Sequence, residues 1–175
     1  MSGKIPLTVG FSNLAGKDFV SFLAEDHAAV SALFESTNIA HGRQIPVTKI
    51  LFVYARFAAN GALEETPAVG VRQVAQEAGA KILVVASPIP ENAIQSVMNF
   101  PGPKTANLVF TLDRKGDAFV SFFRTLFERM RDGEEMLQAW VELAPQAPTE
   151  TNNNPELVLL PEAGGIALAP RRGKA

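Results

Sequence analysis

Two short runs, Ile50–Tyr54 (ILFVY) and residues 82–86 (ILVVA), constrain the fold of this chain more than any other feature. Each is apolar throughout, rich in β-branched or aromatic residues, and bounded by Gly, Pro or charge. A strand with no polar alternation is covered on both faces, as strands of parallel sheets are. Between them, residues 69–78 (VGVRQVAQEA) have helical spacing and stop at Gly79. Strand, helix and strand make a βαβ unit. In open α/β sheets, sites form just beyond the carboxyl ends of the strands. Here those ends carry residues 56–61 and Ser87-Pro88.

The alternation extends along the chain. Residues 7–12 (LTVGFS) predict a first strand, with Ser12 and Asn13 at its carboxyl end. Phe19, Phe22, Leu23, Val30, Leu33 and Phe34 fall at helical spacings, with Asp18 as N-cap or first-turn acid. Residues 36–48 are polar, contain Gly42 and Pro46, and read as a loop; Pro67 suits a helix start. Residues 91–100 predict a short helix, and residues 107–112 (NLVFTL) a fourth strand ending at Asp113. Asp117 opens the longest helical pattern, whose stripe of Phe119, Phe122, Phe123, Leu126, Phe127 and Met130 marks a core face. Gly133 interrupts it, and the pattern resumes over 134–143. Pro145, Pro148 and three asparagines at 152–154 mark a solvated loop. Glu156–Pro161 and residues 166–169 are strand candidates, as a hairpin or as edge strands. The whole predicts one α/β domain over residues 1–170, a three-layer α/β/α sandwich with a mostly parallel central sheet, followed by a basic tail at 171–175.

Composition narrows function by exclusion. A chain of 175 residues, 47% hydrophobic, supports a real core, and its net charge of −2 offers no field for nucleic acid. Cysteine is absent, which excludes disulfides, thiolate metal sites and cysteine nucleophiles. His27 and His41 are the only histidines and have no metal-ligand spacing. No GxGxxG follows the first strand and no GxxxxGK[ST] occurs, so the phosphate cradles of dinucleotide and P-loop sites are missing. No cofactor and no metal are expected. The first residues lack the apolar run of a signal peptide, and no stretch approaches the roughly 20 residues of a membrane span. A cytoplasmic protein without a membrane partner is the expectation.

Several local strings resemble the caspase-like CHAT domains of bacteria. That family places His-Phe-Ala-x-His-Gly after a buried strand. The corresponding string here is Arg56-Phe57-Ala58-Ala59-Asn60-Gly61, which keeps Phe57, Ala58 and Gly61 but has Asn60 in place of the catalytic histidine. The family's cysteine follows the next strand, where this chain has Ala86-Ser87-Pro88. Asp117-Ala118, Phe119, Phe123, Leu126, Gly133 and Ala139-Trp140 are similar to the family's later helices, though the spacing to Gly133 is longer, and the likeness spans most of residues 7–145. The resemblance implies a degenerate member: without the imidazole and thiol, peptidase chemistry is lost, and a binding, scaffold or regulatory role in bacterial signalling or defence remains.

The candidate binding residues are Ser12, Asn13, Arg56, Asn60, Ser87 and Asp113, all at predicted strand ends or the loops beyond them. None is assigned a catalytic role. Ser87 would be a nucleophile only with a base within about 3 Å. Asp113 reads as a turn or cap residue, and Arg56 as the partner of a surface acid. The leading expectation is a non-catalytic binding or scaffold domain with a protein partner. One alternative is a small-molecule-binding or hydrolytic domain with its polar site at the strand ends. Another is a TIR-like domain, because residues 10–23 (GFSNLAGKDFVSFL) resemble that family's first strand and helix.

Overall fold

The computed structural model describes residues 3–5, 8–15, 18–34, 36–39, 44–64, 69–143 and 155–168. In chain order the strands are β1 (Gly3–Ile5), β2 (Thr8–Asn13), β3 (Ser36–Ile39), β4 (Ile50–Tyr54), β5 (Ile82–Pro88), β6 (Asn107–Asp113), β7 (Glu156–Pro161) and β8 (Ile166–Leu168). The helices are α1 (Val20–Val30), α2 (Val71–Ala78), α3 (Glu91–Asn99), α4 (Ala118–Arg131) and α5 (Met136–Leu143). The main sheet has six strands in the order β3-β2-β4-β5-β6-β7. All neighbours are parallel except the last pair, where β7 runs antiparallel to β6. This is the mostly parallel three-layer α/β architecture that the sequence predicts.

The two central runs behave as two-sided apolar strands must. Every residue of β4 has zero exposure, as do Ile82 to Ala86 of β5. Alternate side chains feed two cores. Ile50, Phe52, Tyr54, Ile82, Val84 and Val109 pack with α1, α4 and α5. Leu51, Val53, Leu83, Val85, Leu108 and Phe110 pack with α2 and α3. The helix α2 stops where predicted: Gly79 adopts φ 69°, and its N–H donates to the carbonyls of Ala75 and Gln76.

Two expectations are corrected and a third is narrowed. Residues 36–48 are not all loop, because Ser36–Ile39 forms the parallel edge strand β3 against β2. Its four residues (STNI) have no apolar alternation, and it pairs in parallel with β2. Of the remainder of that segment, the described residues 44–48 lie as a strap against β2. A Cβ on Gly10 would come within 2.6 Å of Thr48 Cγ2 and 3.1 Å of Pro46 Cγ, so glycine there lets the strap approach. Of the two arrangements expected for the last strands, the hairpin is not formed and the edge placement holds: β7 is an edge of the main sheet, while β8 pairs in parallel with β1 in a separate two-stranded sheet. Finally, Asp18 is not the N-cap of α1; Phe19 is. Pro67, His41, the loop at 145–154 and the tail at 171–175 lie outside the described residues.

Candidate functional site

Strand β2 leads into α1 on one face of the sheet, and β4 leads into α2 on the other. Where successive connections diverge, the carboxyl ends of the two strands bound a crevice, the usual ligand position in open α/β sheets. Two predicted residues, Asn13 and Arg56, lie there, and a third, Ser87, is buried on the far side of β4. Asn13 ends β2; its Oδ1 accepts the Ala15 N–H at 3.0 Å and its Nδ2 donates to the Asp18 carbonyl at 2.5 Å. The Leu14 N–H donates to the Tyr54 carbonyl at 2.8 Å, which carries the β2–β4 ladder one step further. Arg56, just past β4, has Nη1 2.5 Å from Asp18 Oδ2 and its guanidinium carbon 5.7 Å from the Phe19 ring centre. The surface pairing expected of Arg56 is therefore present, with the two side chains 52% and 43% exposed.

Phe19 holds this arrangement in an unusual backbone conformation, φ 65° and ψ 12°. The left-handed region costs a residue with a Cβ about 1–2 kcal/mol. Against that stand an exposed ion pair, about 0.2–1 kcal/mol, and a cation–π contact of about 0.5–1 kcal/mol. The opposing contributions are of the same size.

Ser87, the third of these residues, has a structural role. It is fully buried; its hydroxyl donates to the Ala55 carbonyl and accepts the Ala55 N–H, both at 2.9 Å. The side chain thus supplies the ladder contacts just past the end of β4, beside an irregularity in the β5–β6 register between Val85 and Pro88. Replacing Ser87 with alanine orphans two buried backbone groups, and chemical denaturation is expected to register a loss of about 1–3 kcal/mol.

The other candidates lie apart from this group. Ser12 is buried and donates to the Gln44 carbonyl at 2.7 Å, pinning the strap. Asn60 is exposed on the loop after β4, and its Oδ1 accepts the Ala62 N–H at 3.0 Å. Gly61 beside it has φ 92°, and a Cβ there would sit 2.0 Å from the Ser96 carbonyl oxygen, so this loop rests directly on α3. Asp113 is two strand positions away from the crevice. It accepts the Lys115 N–H at 2.9 Å and pairs with Lys115 Nζ at 3.3 Å, the turn role expected of it. The backbone hydrogen bond from Lys115, helped by the ammonium, holds the Asp113 carboxyl below its ordinary range.

No family model, curated protein or solved structure matches this chain. Among the described residues, no group of three or more His, Cys, Asp or Glu side chains is placed to hold a metal ion. Nor is any helix among them long and apolar enough to cross a membrane. His27 packs edge-on against Phe11, with ring centres 5.4 Å apart.

The largest polar cluster beneath the strand ends was not among the candidates. Arg114, the residue after β6, donates from Nη1 and Nη2 to the two carboxylate oxygens of Asp26 in α1, at 3.0 and 2.8 Å. Nη1 also donates to the Ala86 carbonyl at 3.1 Å, and Tyr54 Oη donates to Asp26 Oδ2 at 2.5 Å. The guanidinium lies between two rings, 4.2 Å from the centre of Phe22 and 4.0 Å from that of Phe119. Asp26, Tyr54 and Arg114 are 1%, 0% and 4% exposed; Glu25, 3.5 Å from Arg114, faces solvent. Burial raises the Asp26 carboxyl above its ordinary range, and its hydrogen bonds to Arg114 and Tyr54 offset this only in part. Burial, reinforced by the neighbouring Asp26 charge, holds the Tyr54 phenol well above its ordinary value. The cluster joins α1 to the ends of β4, β5 and β6.

Proposed function

We propose that this chain is a non-catalytic binding domain whose protein partner docks on the loops at the carboxyl ends of β4 and β5, residues 56–61 and 87–90. On this reading the scaffold is a degenerate caspase-like one, of the kind that serves bacterial signalling or defence. The observation that carries it is the use made of the polar side chains at the strand ends. Ser87, Asn60 and Asn13 all bond to nearby backbone and so shape loops. The Ser87 hydroxyl is buried against Ala55, without an imidazole beside it among the described residues. Asn60, at the position matched to the family's histidine, has no basic nitrogen to offer.

Two measurements test this reading. A broad peptide and ester screen is expected to show no turnover that disappears in Ser87→Ala; Ser87-dependent turnover overturns the non-catalytic reading. Affinity capture with the wild type and with Arg56→Glu is expected to lose a partner in the variant, and an unchanged partner set moves the binding surface elsewhere. A second reading, small-molecule binding, is favoured by one feature: the crevice between β2 and β4 is a topological switch point. Thermal-shift hits from a small-molecule library that vanish in Arg56→Ala would favour it.

A further inference from the structure

We propose that Asp18 is a two-position carboxylate, and that the start of α1 switches between two states according to which partner it holds. In the state described above, Asp18 pairs with Arg56, Phe19 is held at φ 65°, and the helix begins at Val20 with no side-chain cap. Phe19 is a poor residue at that position, whereas Asp18, one residue earlier, is of the type that caps helices well. If Asp18 leaves Arg56, its carboxylate can accept the backbone N–H groups of the first turn. Phe19 then takes ordinary helical angles as the first helical residue, its strain is relieved, and α1 gains one residue.

The two states exchange one set of contacts for another. The present one has the ion pair, the ring contact and the Asn13 side-chain bond to the Asp18 carbonyl but bears the left-handed backbone; the alternative has the cap and no strain. Because the opposing contributions are of similar size, both states lie within reach of a modest perturbation. The alternative also uncovers the Arg56 guanidinium at the mouth of the crevice. An acidic group on a partner, carboxylate or phosphate, that captured Arg56 would release Asp18 to cap the helix, so binding and the helix start are linked. This last step rests on the proposed docking surface; the two-state helix start does not.

The test therefore uses the full chain alone, with no partner. The intraresidue amide–Hα NOE of Phe19 is strong at positive φ and weak in a helix, and it reports the state directly. Arg56→Gln removes the ion pair. Asp18→Asn removes it too but leaves a side chain that caps as well as aspartate does. Both variants are expected to weaken that NOE and to slow exchange of the Leu23 amide, which donates to the Phe19 carbonyl at 3.0 Å. High salt should shift the wild type in the same direction, since it screens an exposed pair. Asp18→Ala, which can neither pair nor cap, separates the two roles and should leave Leu23 exchanging faster than in Asp18→Asn, by about threefold or more for a cap of ordinary strength. A Phe19 that keeps its positive φ in both Arg56→Gln and Asp18→Asn overturns the proposal. So does equal Leu23 exchange in Asp18→Asn and Asp18→Ala, which would mean that residue 18 never caps the helix. Failure of the docking reading would appear elsewhere, as an Arg56-independent partner set with this switch intact.

Discussion

Replacing Asp26 with alanine is expected to lower stability by about 3–5 kcal/mol, because it takes the buried acceptor from both the Arg114 guanidinium and the Tyr54 hydroxyl and leaves Arg114 only the solvent-facing Glu25 as a charge partner. Arg114→Ala is expected to cost as much for the mirror reason. The single losses should not add: a double-mutant cycle by urea denaturation should show strong coupling, since each variant breaks the same contact. Replacing both with apolar residues of similar volume, Asp26→Leu with Arg114→Met, should cost far less than either truncation. Burial outweighs the partners in setting the Asp26 carboxyl, so the ion pair opposes a desolvation cost that an apolar pair would not carry. The pH dependence follows in sign. The folded-state value lies above the ordinary 3.8, so folded Asp26 holds its proton more tightly than the unfolded chain does. Its contribution to stability is greatest below 3.8 and declines as pH rises through the raised value. Asp26→Asn should remove that decline. Single truncations that leave the denaturation midpoint unchanged would show that the cluster does not tie α1 to the sheet.

Phe123→Ala is expected to cost about 3–5 kcal/mol as well, through a different mechanism. Phe123 has zero exposure and lies at the centre of a ring cluster: its centroid is 4.8 Å from Phe119, 5.1 Å from Phe122, 5.6 Å from Phe52 and 6.1 Å from Phe127. Phe52 belongs to the sheet and the others to α4, so truncation opens a void at the helix–sheet boundary that close-packed neighbours fill only partly. Val141→Ala is the control. That side chain is 66% exposed, and its loss should stay within about 0.5 kcal/mol. A denaturation midpoint that does not separate the two variants would mean that α4 presents another face to the sheet.

What the sequence made legible is what repeats along the chain. The runs that became β4 and β5 announce burial on both faces, and the aromatic stripe of α4 announces its inward face. Strands β1 and β3 carried no such signal, since GKI and STNI are too short or too polar to show a period, and pairing with a neighbour makes them strands. Site residues were harder to read for a related reason. Arg114 and Asp26 are 88 residues apart, and no local pattern joins them. One clue was present. Asp26 falls three residues after Leu23, four after Phe22 and four before Val30, on the apolar stripe of α1, where a charge has to find a buried partner. Tyr54, the sole tyrosine, ends a fully buried strand, and its hydroxyl needed a partner too. Conversely, Ser12 and Ser87 looked like site residues because strand ends often bear sites. Which way a hydroxyl turns, to the crevice or back to the backbone, depends on the neighbouring strand and on the strap, which a linear reading does not supply.

The edge position of β7 bears on how the molecule comes apart. As the outermost strand beside β6, it places Leu157 and Leu159 against the core under α4 and α5, and Val158 and Leu160 against the core under α2 and α3. Just past its end, Glu162 binds Arg72 through two hydrogen bonds, while Arg72 also donates to the Met98 and Phe100 carbonyls at the end of α3. Detaching this one strand would therefore wet both helical layers together and loosen α3 at once. Neither layer can melt along this edge while the other stays dry, which favours loss of structure in one concerted step over peeling layer by layer.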